Sequence, residues 1–168
     1  MLTLTPMPIA HVGAGAVRML GELAAGRRVL IVTDPGIAAT PVLPAVREQV
    51  PDAAVFTGVH ANPTTDDIAA GARAAQECSA ELIVAVGGGS SIDAAKGIAL
   101  AAVNPQRGRD LDYRNEYGTP ALPIIAVPTT AGTGAETNAF GVITDVESHR
   151  KFYVGHASAL PRAAVLDP

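Results

Sequence analysis

The sequence predicts an α/β fold: a Rossmann-like, open, mostly parallel sheet with helices on both faces, plus a β-hairpin near the C-terminus. First, short apolar runs recur at residues 28–33, 82–86 and 123–128, and β-branched runs of this length are typical of strands buried on both faces of a sheet. Second, helix-length segments separate these runs, as parallel strands require. Third, 48% of the residues are hydrophobic but only 4% are aromatic, and small side chains allow helices to pack closely on a sheet.

The remaining elements follow from periodicity and from cap residues. Pro41 suits the first turn of one helix, and Thr64 or Thr65 is expected to cap the next. Residues 140–145 and 151–154 flank a polar turn and predict an antiparallel hairpin. In chain order we expect strands at residues 2–8, 28–33, 53–56, 82–86, 123–128 and 162–166, helices at about 17–25, 41–50, 65–78 and 92–103, and a polar surface excursion at 104–119.

A glycine-rich turn at residues 87–96, GGGSSIDAAK, links a buried strand to the next helix. Glycines let the backbone approach a ligand with no Cβ in the way. Ser90 or Ser91 can cap the helix, and the free N–H groups at its start favour an anion. The turn therefore indicates a phosphate site, although a tight structural βα turn explains the same spacing. Asp93 and Lys96 also form an i, i+3 pair, with the carboxylate favoured in the first turn of the helix.

The carboxyl ends of parallel strands meet at one edge of a sheet, where ligands bind. Three polar segments of this sequence directly follow buried strands and are therefore expected at that edge. They are Asp34, the turn at 87–90 and a threonine-rich loop at 129–134. Together they suit a dinucleotide, with Asp34 accepting hydrogen bonds from the adenosine ribose hydroxyls. Because Asp34 would repel a 2′-phosphate, NAD is favoured over NADP. Structural interpretations stay open: Asp34 is also an ordinary turn residue before proline, and threonines often bond their own backbone.

Charge and cysteine content argue against several function classes. The formal net charge of −4, without a basic run, disfavours nucleic acid and anionic membranes as partners. The single cysteine, Cys78, suits a buried thiol in a reducing compartment. No signal peptide or spanning segment is recognisable, so a cytoplasmic location is expected.

Two patterns resemble functional motifs but are interpreted as structural. Gly13 and Gly15 begin a dinucleotide fingerprint, yet Arg18 occupies the position of the third glycine. Asp145 and His149 have the i, i+4 spacing of a helical metal pair, but they flank a predicted hairpin turn, which does not hold them on one face. The remaining histidines, His11, His60 and His156, are expected in separate loops. We therefore predict no metal ligands within this sequence.

The motifs together resemble those of the iron-containing (group III) alcohol dehydrogenases. The resemblance rests on GGGSSIDAAK at 87–96, on PTTAGTGAE at 128–136 and on ITD at 143–145. Supporting segments at 33–34, 62–64 and 150–152 fall in the family's order, so the similarity covers nearly the whole chain. Glycerol dehydrogenase and dehydroquinate synthase are weaker relatives, because their threonine loop is less similar.

The resemblance implies NAD(P)-dependent interconversion of an alcohol with an aldehyde or ketone. It also implies a role for each matching residue. Asp34 would bind the adenosine ribose, Asn62 would lie near the adenine, and Gly88, Gly89 and Ser90 would hold the pyrophosphate; Thr129, Thr130 and Thr133 would contact phosphate and the nicotinamide ribose, and Val142 and Lys151 would border the nicotinamide end.

The sequence departs from the family in length. The family's second half is a helical domain whose aspartate and three histidines hold iron or zinc, the metal that activates the alcohol, whereas this sequence stops at Pro168. We therefore expect residues 1–168 to be one dinucleotide-binding domain, the cofactor-binding half of an NAD-dependent dehydrogenase, inactive alone and without catalytic residues of its own. One alternative is a stand-alone nucleotide-binding or protein-interaction module without catalysis. Another is a relative of glycerol dehydrogenase or dehydroquinate synthase with a different reaction, against which the threonine loop argues. The resemblance also implies that the N-terminal strand, residues 2–8, could pair in a homodimer.

Overall fold

The computed structural model describes residues 7–168. Two sheets and five α-helices make up its regular structure, with short 3₁₀ turns in the connections. The strands are β1 (Ile9–Val12), β2 (Val29–Val32), β3 (Ala54–Phe56), β4 (Leu82–Gly87), β5 (Ile124–Pro128), β6 (Phe140–Thr144), β7 (Lys151–Gly155) and β8 (Ala163–Leu166). The helices are α1 (Met19–Ala24), α2 (Pro35–Ala38), α3 (Val42–Gln49), α4 (Thr65–Glu77) and α5 (Gly89–Ala101).

The main sheet is wholly parallel and has six strands in the order β1-β8-β5-β4-β2-β3. From β2 the chain moves outward to β3, and it then returns to β4 on the other side of β2 and continues through β5 to β8. The direction of progress therefore reverses between β2 and β4. Ligands of open α/β sheets bind at this kind of switch point, beyond the carboxyl ends of the strands.

Helices cover both faces of this sheet, as the sequence predicts. Alternate strand residues such as Leu30 and Ile83 belong to a core shared with α4 and α5. Their neighbours, such as Ile31 and Val84, belong to a second core shared with α1 and α3. Every residue of β4 is buried, which explains why its sequence is continuously apolar instead of alternating.

The predicted hairpin is confirmed as the antiparallel pair β6–β7. Its buried side chains, Ile143, Phe152 and Val154, join the core that contains α4 and α5. The N–H of Thr144 donates to the carbonyl of Pro63 at 2.8 Å, so the hairpin is also tied to the segment before α4. The end of β6 thereby lies beside the first turns of both long helices.

Three details differ from the sequence-based prediction. The first described strand is Ile9–Val12, whereas the expected strand at 2–8 falls largely on residues 1–6, outside the described residues. A short helix, α2, follows Asp34 because that carboxylate caps it and Pro35 occupies its first position. Helix α5 starts at Gly89 with Gly88 as its N-cap residue, so the prediction that Ser90 or Ser91 caps it was wrong; both serines lie inside its first turn. Within residues 7–168, none of the helices is both long and apolar enough to cross a membrane.

Candidate nucleotide-binding site

An open groove of about 470 Å³ lies at the switch point between β2 and β4. Four segments line it, each following the carboxyl end of a strand. They are residues 34–37 after β2, 59–61 after β3, 88–91 after β4 and 129–130 after β5. The groove therefore brings together Asp34, Gly88, Gly89, Ser90, Thr129 and Thr130, which are six of the ten residues that the sequence predicts for the site.

The segments that line the groove approach each other closely at positions occupied by glycine. Gly87 has a φ of 143°, and a Cβ there would lie 2.4 Å from Ser91 Oγ and 3.2 Å from Asp34 Oδ2. A Cβ on Gly88 would lie 3.2 Å from Thr130 Oγ1, and one on Gly89 would lie 3.3 Å from Thr133 Cγ2. A side chain at Gly87 would therefore collide, and at Gly88 or Gly89 it would press on the threonine loop.

The start of α5 supplies the donors for an anion. The helix has 13 residues, and its N-cap residue, Gly88, has no side chain with which to satisfy the N–H groups of the first turn. Those N–H groups and the positive end of the helix dipole point into the loop region that forms the groove. This is the arrangement by which a helix N-terminus binds phosphate.

Asp34 joins two walls of the groove. Its Oδ1 accepts a hydrogen bond from Ile37 N at 2.9 Å, and its Oδ2 accepts one from Ser91 Oγ, also at 2.9 Å. Each carboxylate oxygen can accept a second hydrogen bond, so the half-buried group is fixed in place and still has acceptor capacity for ligand hydroxyls. The structural interpretation of Asp34 is confirmed because it caps a helix, and the same carboxylate lines the groove.

The threonine loop follows β5 and is anchored to the glycine turn. Thr129 N donates to the carbonyl of Gly87 at 3.0 Å, and Gly132 and Gly134 adopt φ values of 96° and 64°. Thr133 Oγ1 accepts a bond from Ala135 N at 3.4 Å, so this threonine partly satisfies its own backbone. Thr129, Thr130 and Thr133 are all exposed, which leaves them accessible to a ligand.

A second group of predicted site residues lies beyond the groove lining. Lys151 Nζ donates to Asn62 Oδ1 at 2.7 Å, and Val142 stands two residues before the end of β6, which pairs with the strand of Lys151. The family resemblance implies that Asn62 lies on the adenine side and Lys151 on the nicotinamide side. Since 2.7 Å is short compared with the length of a dinucleotide, the two side chains would meet the same part of such a ligand.

Asp93 and Lys96 form the i, i+3 pair that the sequence predicts, but their spacing alone does not reveal that Lys96 is buried. Lys96 has no exposed surface, and its ammonium donates to the Phe140 carbonyl and to Asn138 Oδ1 at 3.2 Å, with Asp93 Oδ1 3.6 Å away. Asp93 Oδ2 accepts from Val142 N at 3.0 Å. Burial lowers the pKa of Lys96 to about 8, and burial raises the pKa of Asp93 above its usual value. The pair therefore fixes the start of β6 against α5.

The remaining candidate patterns have structural roles. Asp167 Oδ1 and Oδ2 accept from Gly15 N and Val17 N, each at 2.9 Å, so the N–H groups of the partial glycine fingerprint are already bonded. Asp145 accepts from Ser148 N at 3.1 Å across the hairpin turn that separates it from His149. In residues 7–168 the structure places no three His, Cys, Asp or Glu side chains close enough to hold a metal ion, so these residues do not fit an iron or zinc centre.

A cavity of about 420 Å³ lies at the opposite end of the sheet, beside the starts of β2 and β3. Arg27, Gln49 and Cys78 are among its lining residues. None of the sequence motifs reaches it, and the Cys78 thiol is engaged with the Ala75 carbonyl at 3.5 Å.

Known proteins resemble this chain over its whole described length. The model of the family described as iron-containing alcohol dehydrogenase matches residues 8–168. Alcohol dehydrogenase 4 of Saccharomyces cerevisiae is 34% identical over 168 residues, which cover 96% of this chain and 44% of the yeast protein. The chain therefore spans less than half the length of the curated relatives that it matches first.

Solved structures show the same architecture. The NADH-dependent butanol dehydrogenase A of Thermotoga maritima superposes with a TM-score of 0.90 at 28% identity, covering 100% of this chain and 44% of that one. Sulfoacetaldehyde reductase of Bifidobacterium kashiwanohense, solved in complex with NAD+, has a TM-score of 0.90 at 27% identity, covering 100% of this chain and 46% of that one.

Proposed function

The chain belongs to the iron-containing alcohol dehydrogenase family, and we propose that residues 1–168 form the cofactor-binding half of an NAD-dependent enzyme that interconverts alcohols with aldehydes or ketones. The observation that carries this proposal is the groove at the switch point. There, a fixed carboxylate, the N-terminus of α5 and the threonine loop line one site. These are the groups that a ribose and a pyrophosphate require.

We assign each group of residues in and beside the groove to a part of the cofactor. The N–H groups of Gly89 and Ser90 bind the pyrophosphate, and the exposed hydroxyls of Thr129, Thr130 and Thr133 contact phosphate and the nicotinamide ribose. Asn62 and Lys151, which are bonded to each other, contact one ribose at the nicotinamide end, beside Val142. The bound nicotinamide would accept or donate the hydride, while this chain's residues orient the cofactor.

Asp34 decides between the two nicotinamide dinucleotides. Its carboxylate is held between Ile37 N and Ser91 Oγ, so it cannot turn away from a ligand in the groove without losing both bonds. An ionised acceptor binds the two hydroxyls of an adenosine ribose and repels a 2′-phosphate. We therefore propose NAD as the cofactor and NADP as a weaker ligand.

Calorimetric titration of the chain with NAD and with NADP tests this proposal. We expect NAD to bind and NADP to bind more weakly. Asp34→Asn, which keeps the shape of the side chain, should lower the preference for NAD by about tenfold, the equivalent of one charge-assisted hydrogen bond. The exposed Asp110 lies away from the groove, so Asp110→Asn is the matched control and should leave both affinities unchanged. Equal binding of NAD and NADP by the unaltered chain would contradict the role of Asp34, and binding of neither would contradict the proposed function.

The family resemblance also motivates a proposal about assembly. The N-terminal strand is proposed to pair across a two-fold axis in a homodimer, which light scattering would detect as twice the chain mass. A cytoplasmic location stays a prediction from the sequence.

A further inference from the structure

His60 supplies the one basic side chain that the groove offers. The ligand proposed above carries two negative charges on its diphosphate, yet among the described residues that line the groove there is no lysine or arginine. The lining includes one carboxylate, Asp34, and one histidine, His60. Backbone N–H groups and hydroxyls can donate hydrogen bonds to the diphosphate, but the imidazole is the only side chain in this lining that can carry a positive charge.

Asp67 holds that imidazole in a defined orientation. His60 Nδ1 lies 2.9 Å from Asp67 Oδ1, and His60 N lies 3.4 Å from Asp67 Oδ2. Asp67 is itself fixed, because its carboxylate accepts from Thr64 N at 3.0 Å and its side chain is only 8% exposed. An ionised carboxylate only accepts hydrogen bonds, so Nδ1 carries a proton and Nε2 is the nitrogen left for a ligand.

The protonation state of the ring then sets what Nε2 can do. A neutral ring with its proton on Nδ1 offers Nε2 only as an acceptor, whereas a protonated ring offers a charged donor. The side chain is 74% exposed, so it is open to a ligand that enters the groove. Other charged groups around this loop are Asp66 and Asp67 on α4, Asp34 in the lining of the same groove, and Lys151, which is bonded to Asn62.

We propose that His60 is a binding residue for the diphosphate of the adenosine dinucleotide, and that its protonation strengthens binding of the cofactor. This rests on the proposed function, because it concerns the same groove. Asp67 already engages Nδ1 of the ring, and the ligand's diphosphate adds a further anion that only the protonated ring can engage by donating from Nε2. Affinity should therefore rise as the pH falls through the range in which histidine gains its charge.

Calorimetric titration with ADP-ribose and with NAD between about pH 5.5 and 8.5, the range that brackets the titration of histidine, tests the proposal. The diphosphate of either probe keeps its charge across this range, so the protein supplies any change. We expect the affinity of the unaltered chain to rise by about fivefold from the alkaline to the acidic end, the effect of one solvent-exposed charged hydrogen bond. His60→Gln should show a flat profile at the alkaline affinity, and His60→Lys should show a flat profile at the acidic affinity.

The controls distinguish a failure of the role proposed for His60 from a failure of the proposed function. His149→Gln changes an exposed histidine in the hairpin turn, so it should keep the full pH dependence of the unaltered chain. If NAD binds but the affinity is independent of pH, or if His60→Gln keeps the dependence, the role of His60 is overturned while the proposed function stands. If neither ADP-ribose nor NAD binds at any pH, both fail.

Discussion

At the residue scale, Lys96 stands out because its charged side chain is buried. It is the largest fully buried side chain in the described part of the chain, and it holds the Phe140 carbonyl, Asn138 and Asp93 around one ammonium group. Removing the ammonium group leaves the Asp93 carboxylate, whose side chain is only 20% exposed, without its cationic partner, and an unpaired, largely buried charge costs more than the net contribution of the bond itself. The junction therefore fixes β6, and with it Val142, at one position along α5.

Lys96→Met should lower the free energy of unfolding by about 2 kcal/mol at neutral pH. This loss is smaller than the loss expected when a fully buried ion pair is broken, because Asp93 keeps some exposure. Chemical denaturation should also show a pH signature. The pKa of Lys96 is lowered to about 8 in the folded chain from 10.5. Between these values the unfolded chain binds more protons, so the stability of the unaltered chain rises with pH relative to Lys96→Met.

Two variants check that interpretation. Arg73→Met removes an exposed cation from α4 and should change stability by less than about 0.5 kcal/mol. Adding Asp93→Asn to Lys96→Met should restore part of the loss, since it removes the uncompensated carboxylate. If the free energies of unfolding of the unaltered chain and of Lys96→Met differ by a constant amount from about pH 8 to 10, the pKa of Lys96 is not lowered in the folded chain.

The same residue shows where sequence-based prediction ends. The i, i+3 spacing of Asp93 and Lys96 fits an exposed pair as well as a buried one, although the apolar and small residues around Lys96 indicate a helix buried on all sides. The bond from Ser91 to Asp34 joins residues 57 positions apart, and no local pattern reveals it. By contrast, the buried strands and the glycine turn were predicted because their signals are local: apolar runs of strand length and glycines at fixed offsets.

At the element scale, α4 and α5 approach each other through glycines. A Cβ on Gly71 of α4 would lie 2.2 Å from Ile98 Cδ1, and a Cβ on Gly97 of α5 would lie 2.9 Å from Ile68 Cδ1. The helices thus interlock, each isoleucine filling the space over a glycine of the other helix. This close packing fixes α5, and therefore its N-terminus in the groove, relative to α4 and the His60 loop.

Gly71→Ala should destabilise the chain by about 1–2 kcal/mol, because overpacking outweighs the better helix propensity of alanine. Ile98→Ala removes the atoms that collide, so the double variant should lose about 1 kcal/mol less than the sum of the two single variants. Gly118 has nothing within 4 Å of a built Cβ, and Gly118→Ala should be nearly neutral. Additive losses, measured by urea denaturation, would show that the two residues do not share this contact.

At the scale of the whole molecule, the two ends of the described chain close on each other. Strand β1 pairs with β8, at the edge of the sheet. Just beyond β8, the Asp167 carboxylate accepts the two bonds from Gly15 and Val17 in the turn after β1. The bond from Val17 and then that from Gly15 lower the pKa of this carboxyl below its usual value. The turn that contains Gly13 and Gly15 therefore stabilises the edge of the sheet through its bonds to Asp167.

Asp167→Asn removes the charge and leaves the size, so it should lower the melting temperature at neutral pH and speed amide exchange at Gly15 and Val17. The difference has a definite pH dependence. Because the folded pKa lies below the unfolded value of 3.8, the stabilisation is present above that pH and is lost as the pH falls through the folded value. Thermal melts of the two proteins should therefore converge in acid. Amide exchange at Ala85, in the central strand β4, is the internal control and should stay slow in both proteins, because opening confined to the sheet edge leaves the core intact. If the two melting temperatures differ by the same amount at neutral and at strongly acidic pH, the charge of the carboxylate does not hold the two ends together.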